Sequence, residues 1–248
     1  MFKFLIAFVM MVPAVAQAAP FHEFDATYPW KSTRGGPHTY GNSTIRTQIP
    51  PPKGFSRVQT DTWGEWLRDL PVEEAAYAVH NIDGEMKENQ SSHHRVVSMN
   101  VLPYQQCADS ILRLRAEFEV SRGQTFRFSG MSFSKGSREA FDRFLGRLFI
   151  HKGTHNLAGE LARVSEKRVM PGDVLVRGGN PGHAILVVDV VQDRHGNRKL
   201  LLANGFMPAQ EFHVLELRGS PWFNERDLDF GLVNPLWRPF TWSDLRRF

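Results

Sequence analysis

Cysteine is nearly absent from this chain: Cys107 is the only one among 248 residues. A single cysteine cannot form an internal disulfide, which excludes the small secreted folds that depend on several disulfides. No internal repeat is visible, and no HExxH zinc motif occurs. Neither sign of charge dominates, because 26 acidic residues oppose 30 scattered basic ones. The composition therefore predicts no nucleic-acid partner.

Long apolar runs are also absent, apart from the N-terminus. The first 18 residues combine Lys3, an apolar run over 4–15 and the small-residue ending Ala16-Gln17-Ala18. This pattern is typical of a secretory signal peptide (1–18), and the run is shorter than the roughly 20 residues that cross a bilayer. We therefore expect a periplasmic or secreted protein without a transmembrane segment. In an oxidising compartment a lone thiol is an inert buried residue, an intermolecular bridge or a reactive nucleophile.

The rest of the sequence divides into a lead-in and one domain. Residues 19–53 are rich in Pro, Gly, Ser and Thr and lack apolar periodicity, which predicts an extended segment. Residues 54–248 are long enough for a single domain, and the 42% hydrophobic content of the chain supports a buried core.

Periodicity predicts that Cys107 lies near the start of an amphipathic helix. Cys107, Ile111, Leu114 and Phe118 recur at helical spacing within 103–120. We expect the charged side chains of this helix to form its solvated face; they are Asp109, Arg113, Arg115 and Glu117.

The second half of the chain changes period. It contains short β-rich runs separated by turn signals, at 173–176, 183–191, 199–203 and 212–217. Closely spaced strands with short turns indicate an antiparallel sheet. We therefore expect an α+β fold in which the helix that carries Cys107 packs on this sheet.

His183 has the most site-like surroundings of the ten histidines. It follows the turn Gly178-Gly-Asn-Pro-Gly182 and opens the most apolar strand of the chain. The next strand ends at Asn204, which on a neighbouring antiparallel strand lies beside His183 and accepts its second ring N–H. A thiol nucleophile needs an imidazole base and a polar residue that orients the imidazole, so we predict Cys107, His183 and Asn204 in these roles.

Other polar residues are candidates for supporting roles. Backbone N–H groups at the start of the Cys107 helix would hold the oxyanion, aided by Tyr104 or Gln106. His94 precedes the strand that leads to Cys107 and would border the cleft. Gln210 is a second candidate for orienting the imidazole.

The order of these residues resembles the papain-like cell-wall endopeptidases of the NlpC type. The matching features are Cys107 at a helix start, Gly172-Asp173 before the histidine strand, His183, and Asn204 on the next strand. The chain departs from that family's Asp-Cys-Ser-Gly motif, since it has Gln106-Cys107-Ala108-Asp109 here. The resemblance implies a papain-like core over about 95–217 that hydrolyses amide bonds in peptidoglycan stem peptides.

Nearly the whole mature chain also resembles a bacterial envelope family known as a domain of unknown function. Three motifs carry this resemblance: Gln105-Gln-Cys-Ala-Asp109 with Arg113-Leu-Arg-Ala-Glu117, then Gly178-Gly-Asn-Pro-Gly-His183, then Met207-Pro-Ala-Gln210. They indicate a family and a location in the envelope, but no reaction.

The leading hypothesis is an exported cysteine hydrolase that acts on peptidoglycan or another envelope polymer without a cofactor. A non-catalytic module that binds glycan or peptide in the same cleft is the alternative, with Trp63, Trp66, Trp222 and Trp237 as possible sugar-stacking residues. Buried structural roles explain Cys107 and His183 as well. A metal site is a further reading; its ligands would come from His93, His94, His151 and His155 with Asp83 or Glu88.

Overall fold

The computed structural model describes residues 43–73, 78–86 and 96–248. The predicted signal peptide (1–18), the first part of the lead-in and His94 therefore lie outside the described residues. Within them the chain has a mixed α+β fold with five α-helices and a mainly antiparallel eight-stranded sheet.

Each helix begins at a residue with extended backbone. Asp61 and Ser137 accept backbone N–H bonds as side-chain caps of the second and fourth helices. The helices are α1 (Ile45–Gln48), α2 (Thr62–Arg68), α3 (Cys107–Ser121), α4 (Arg138–His151) and α5 (Thr154–Glu160). Two short 3₁₀ helices follow near the C-terminus, Glu225–Asp229 and Trp242–Asp244.

The strands are concentrated in the second half of the chain, where β-branched and leucine residues are frequent. In chain order they are β1 (Phe55–Arg57), β2 (Phe126–Phe128), β3 (Met131–Phe133), β4 (Ala162–Arg163), β5 (Val174–Arg177), β6 (His183–Asp193), β7 (Arg198–Asn204), β8 (His213–Val214), β9 (Trp222–Asn224), β10 (Leu232–Asn234), β11 (Trp237–Phe240) and β12 (Leu245–Arg247). The main sheet has the order β4-β12-β5-β6-β7-β8, with β1 paired to β6 and β9 paired to β7.

Strand β6 is the centre of the sheet and is buried on both faces. On one face, Ala184, Leu186 and Val188 share a core with apolar residues of α2, α3 and α4. On the other face, Ile185 and Val187 pack with residues of the C-terminal segment. Alternate residues of a strand point to opposite faces, so a strand covered on both sides reads as one continuous apolar run.

A register shift between Val187 and Asp189 interrupts the pairing of β6 with β7. Asp189 is fully buried there and accepts hydrogen bonds from Arg57 Nε at 2.7 Å and Arg68 Nε at 2.6 Å. These two ion pairs join β1 and α2 to the central strand, because a buried carboxylate requires charged partners.

Two sequence expectations differ from the structure. The predicted extended lead-in ends before residue 53, since α1 forms at Ile45–Gln48 and the Ile45 side chain is fully buried. The helix that carries Cys107 has no fully solvated charged face, because Asp109, Arg113 and Glu117 are all buried. The periodicity showed the apolar stripe but could not show that a second layer covers the opposite side.

No helix among residues 43–73, 78–86 and 96–248 is long and apolar enough to cross a membrane.

Candidate active site

Cys107 is the first residue of α3. Gln106 precedes it with extended backbone, and Ser110 N–H makes the first bond back into the helix, to Gln106 O at 3.0 Å. The N–H groups of the first turn are therefore not used within the helix. The backbone of Ala184 and of Ala108 lowers the pKa of the Cys107 thiol, so the thiol faces both the helix start and the beginning of β6.

The loop before Cys107 is held by a buried arginine. Arg113 is fully buried and donates to Asn100 O at 2.6 Å, to Asn100 Oδ1 at 2.7 Å and to Gln105 Oε1 at 2.6 Å. Glu117, also fully buried, lies 3.4 Å from Arg113 and accepts two bonds from Arg138. The motif Arg113-Leu-Arg-Ala-Glu117 therefore supports the backbone that positions the thiol.

His183 and Asn204 are brought together by antiparallel pairing of β6 with β7. His183 opens β6, Asn204 ends β7, and Asn204 Nδ2 lies 3.0 Å from His183 Nε2. Both side chains are buried. Asn204 does not have positive φ, so a left-handed turn conformation does not explain it.

The amide orientation of Asn204 decides which ring nitrogen of His183 carries the hydrogen. With Nδ2 facing the ring, Asn204 Oδ1 is buried and has no hydrogen-bond partner among the described residues. Rotating the amide by half a turn places Oδ1 at this position, where it accepts the His183 Nε2–H. Amide nitrogen and oxygen are assigned from their hydrogen bonds, and either orientation leaves one of the two amide atoms without a partner among the described residues. The catalytic roles predicted for these residues require the rotated form. His183 Nδ1 then remains as the acceptor for a substrate or thiol proton.

Cys107 and His183 line one cavity of about 200 Å³. Its walls come from the α3 start, the α4–α5 connection, the Gly-rich turn and the chain after β7; they include Gln106, Asp109, Lys152, Thr154, Asn180, Phe206, Met207 and Trp237. The volume is below the roughly 300–1,000 Å³ of sites for drug-sized ligands. It fits a short stretch of extended chain better than a bulky ligand.

Glycines allow the cavity walls to approach each other closely. A Cβ on Gly182 would lie 2.2 Å from Thr154 Oγ1 and 2.6 Å from Gly179 O. A Cβ on Gly205 would lie 2.6 Å from Ser110 Oγ. Any side chain at these two positions would push the Gly-rich turn or the chain after β7 away from the cavity.

Aromatic rings surround the imidazole. The His183 ring centroid lies 5.1 Å from that of Phe206, 5.4 Å from that of Trp237 and 6.2 Å from that of Phe240. This burial lowers the pKa of His183 from 6.5 to about 4, because a charged imidazolium would lose its hydration. The imidazole is therefore neutral at neutral pH.

The thiol is neutral as well. Cys107 is 8% exposed, and its burial raises the pKa of the thiol from 9.0 to about 11. Backbone hydrogen bonds from Ala184 and Ala108 act in the opposite direction, and the charge of Asp109 raises the pKa further. The resting site thus has a neutral thiol and a neutral imidazole in the lining of one cavity, and no hydrogen bond joins Cys107 to the His183 ring in the described part of the chain.

The remaining sequence candidates lie in different places. Gln106 lines the cavity, whereas Tyr104 is 65% exposed, has φ of 66° and lies outside the lining. Gln210 is buried and bridges to Asn81, again outside the lining. Asp173 of the Gly-Asp pair bonds to Arg247 at 2.6 Å and is also absent from the lining. His94 lies outside the described residues.

Several cavity residues were missed by sequence reasoning, among them Asp109, Lys152 and Trp237. Asp109 was expected at the surface, Lys152 was not considered, and Trp237 was considered only for sugar stacking. A carboxylate three residues after a helix-capping residue is a recognisable signal for a side chain that folds back over the helix start. Asp109 has this position. Nothing in the sequence near Lys152 or Trp237 indicates the cavity.

Two of the other tryptophans proposed for sugar stacking pack against neighbouring rings. Trp63 and Trp66 stack with ring centroids 5.5 Å apart, and both contact Phe118. His151 ends α4 and His155 lies in α5. The described residues contain no group of three or more His, Cys, Asp or Glu side chains arranged to hold a metal ion.

Comparison with known proteins identifies a family. A family model described as Domain of unknown function (4846) matches residues 45–138 and 120–247. No curated protein matches the chain. No solved structure matches it either.

Proposed function

The chain belongs to the family Domain of unknown function (4846), and we propose that it is an exported cysteine hydrolase that cleaves amide bonds of envelope material. The substrate class proposed is the stem peptide of peptidoglycan. The proposal of export and of a location in the envelope is based on the signal-peptide pattern of residues 1–18. The substrate depends on the resemblance to NlpC-type endopeptidases.

One observation carries the catalytic part of this proposal. Cys107 and His183 line the same cavity although 76 positions separate them in the sequence numbering, and the Asn204 amide engages His183 Nε2 at 3.0 Å. A nucleophile, a base and a residue that orients the base are the three parts of a cysteine hydrolase site. A helix packed on an antiparallel sheet, with these residues in the order Cys, His, Asn, also supports a papain-like arrangement.

The two pKa shifts favour attack by a neutral thiol rather than by a preformed thiolate. In the proposed reaction, His183 Nδ1 takes the Cys107 proton while the sulfur bonds to the substrate carbonyl carbon. The resulting oxyanion is held by backbone N–H groups at the start of α3. The imidazolium then returns the proton to the leaving amine, and a thioester forms as the C–N bond breaks.

Hydrolysis of the thioester completes the cycle. A water molecule attacks the carbonyl while His183 Nδ1 takes its proton, and the proton passes to the Cys107 sulfur as the C–S bond breaks. The Asn204 amide stabilises both steps because it holds the ring in one orientation and stabilises the imidazolium through Nε2–H. Aromatic walls keep the resting imidazole neutral and therefore ready to accept a proton.

A non-catalytic binding module is the second candidate. The burial of Cys107 and its pKa of about 11 favour it, because an efficient thiol nucleophile usually has a lowered pKa. In this alternative the same cavity holds a peptide or glycan segment without cleaving it. The family motifs around Cys107 would then maintain the shape of the cavity.

Incubation of the mature protein with purified muropeptides separates the two candidates. The hydrolase predicts new amide cleavage products by mass spectrometry, which Cys107→Ala abolishes while its circular dichroism spectrum stays unchanged. Met207→Ala, at an exposed position of the cavity rim, serves as a control with the thiol intact. Equal digestion by wild type and Cys107→Ala would disprove the hydrolase; retention on intact sacculi without digestion would support the binding module.

A further inference from the structure

Asp109 and Cys107 line the same cavity although they are two residues apart in one helix. Residues two apart in a helix normally point to different sides. Asp109 instead folds back toward the helix start, where its Oδ2 accepts the Gln106 N–H at 2.9 Å. It lines the same cavity as Cys107 and His183, and its charge acts on the thiol.

The other carboxylate oxygen is unsatisfied. Asp109 is 6% exposed, and Oδ1 is buried without a hydrogen-bond partner among the described residues. No ion pair of Asp109 occurs in that part of the chain, although Lys152 also lines the cavity. Burial raises the pKa of Asp109 from 3.8 to about 7, as expected for a carboxylate that lacks a cation.

Capping of α3 does not require this second oxygen. One acceptor satisfies the Gln106 N–H, and a neutral asparagine would supply it equally well. A carboxylate also opposes the proposed chemistry, because its negative charge raises the pKa of the neighbouring thiol. A cation from outside the chain that pairs with the carboxylate would give Oδ1 a partner. It would also offset the effect of the negative charge on the thiol pKa.

We propose that Asp109 is the specificity-determining residue of this cavity and binds an ammonium group of a peptide substrate close to its scissile amide bond. The inference rests on the proposed peptide-binding role of the cavity, and it holds whether the bound peptide is cleaved or only held. Oδ1 is closed to solvent in the resting site, so pairing with the ammonium involves a turn of the Asp109 carboxylate toward the cavity. The pair removes the repulsion that Asp109 exerts on the developing thiolate. A cationic substrate thereby activates the nucleophile that attacks it.

Two sources can supply such a group: the free α-amine of a peptide N-terminus, or the side-chain amine of a diamino acid. Acetylation removes the positive charge of either amine and changes little else. A comparison of acetylated and free forms therefore tests the charge directly, and separate probes for the two amines identify the source.

The test measures binding to the full mature protein carrying Cys107→Ala, so that cleavage plays no part. The probes are trialanine amide, its N-acetyl form, an N-acetylated Ala-Lys-Ala amide and the same peptide with the lysine side chain acetylated. Calorimetry is expected to show that at least one free amine binds roughly tenfold or more tightly than its acetylated form. Adding Asp109→Asn is expected to reduce that difference to about twofold or less.

Asp61→Asn in the Cys107→Ala background is the matched control. Asp61 caps α2 outside the cavity, so this variant should keep the full preference for the free amine. If Asp109→Asn does not fold, Asp109→Gln replaces it, because a glutamine at this third helical position also accepts the N–H of the capping residue. Equal affinity of the free and acetylated peptides for Cys107→Ala, or no binding of any of the four, overturns the inference. Muropeptide cleavage by wild type is scored separately, so failure of the hydrolase proposal is distinguishable.

Discussion

Asn204 Nδ2 lies 3.0 Å from His183 Nε2, just beyond the last paired residues of β6 and β7, which are Leu186 and Ala203. The two residues lie on adjacent strands of one sheet, and each is paired to a further strand, His183 to Arg177 of β5 and Asn204 to His213 of β8. The imidazole is thus oriented by a side chain that belongs to the sheet. A side chain on a loop would hold the ring less firmly, since loops move more than the strands that they connect.

Removal of this orienting amide should lower the rate more than it weakens substrate binding. We expect Asn204→Ala to reduce kcat by roughly 10–1,000-fold with little change in KM, because the tautomer of His183 is no longer fixed. Asn224→Ala, an exposed strand residue, should leave both constants unchanged. Asn204→Asp keeps an acceptor for Nε2–H and adds a negative charge, so it should retain more activity than Asn204→Ala.

The same variants give a spectroscopic signature. The Asn204→Asp carboxylate should raise the pKa of His183 above its value of about 4. NMR titration of the imidazole measures this shift. An unchanged pKa in Asn204→Asp would contradict direct contact between the two side chains.

Alkylation of Cys107 should be slow at neutral pH. With a thiol pKa of about 11, little thiolate exists at pH 7, so the rate with iodoacetamide should rise about tenfold per pH unit up to pH 10. Mass spectrometry follows the reaction, with a cysteine-containing peptide of pKa about 8.5 as the reference. A rate that already levels off near pH 6 would reveal a thiolate–imidazolium pair instead.

Asp109→Asn should change how stability depends on pH. The folded-state pKa of Asp109 is about 7, above its unfolded value of 3.8, so the folded protein binds the extra proton between these values. The stability associated with the neutral form is fully present below pH 3.8 and is lost as the pH rises through 7. Relative to wild type, Asp109→Asn should therefore gain roughly 2–4 kcal/mol on going from pH 4 to pH 8.

Urea unfolding at pH 4, 6 and 8 measures this difference. Other titrating groups, including His183, are present in both proteins and cancel in the comparison. A constant difference between the two proteins across this pH range would show that the Asp109 pKa is not raised.

Two glutamates of α3 should differ sharply in their contribution to stability. Glu117→Gln leaves Arg113 and Arg138 near a neutral amide in a buried cluster, which should cost about 3–5 kcal/mol. Glu119→Gln removes only a more exposed pair with Arg115, which should cost under about 1 kcal/mol. Thermal or urea unfolding of both variants provides the comparison, and similar losses would contradict a supporting role for the buried cluster.

The relationship between His183 and Asn204 was accessible from the sequence because it follows from strand pairing. A β-rich run that begins at His183 and another that ends at Asn204, joined by the turn at His195-Gly-Asn197, place these residues at the same end of a hairpin. The helix start at Cys107 was likewise visible in the apolar stripe that follows it.

The walls of the cavity were not accessible in this way. Trp237 and Lys152 reach the site through contacts between elements far apart in the chain, which no local period reveals. The sequence predicted a solvated helix face at Arg113 and Glu117, because charged residues are usually exposed. Their burial depends on Arg138 and Asn100, whose approach is a property of the tertiary fold.

The position of β12 constrains how this protein reaches its folded state. Leu245–Arg247 pairs with β5 on one side and β4 on the other, so residues at the far end of the sequence fill a gap inside the sheet. During synthesis or export, one edge of β5 stays unpaired until residues 245–247 have emerged. Unpaired edges invite pairing with other chains. Loss of residues 245–247 would therefore leave that edge permanently open and promote aggregation.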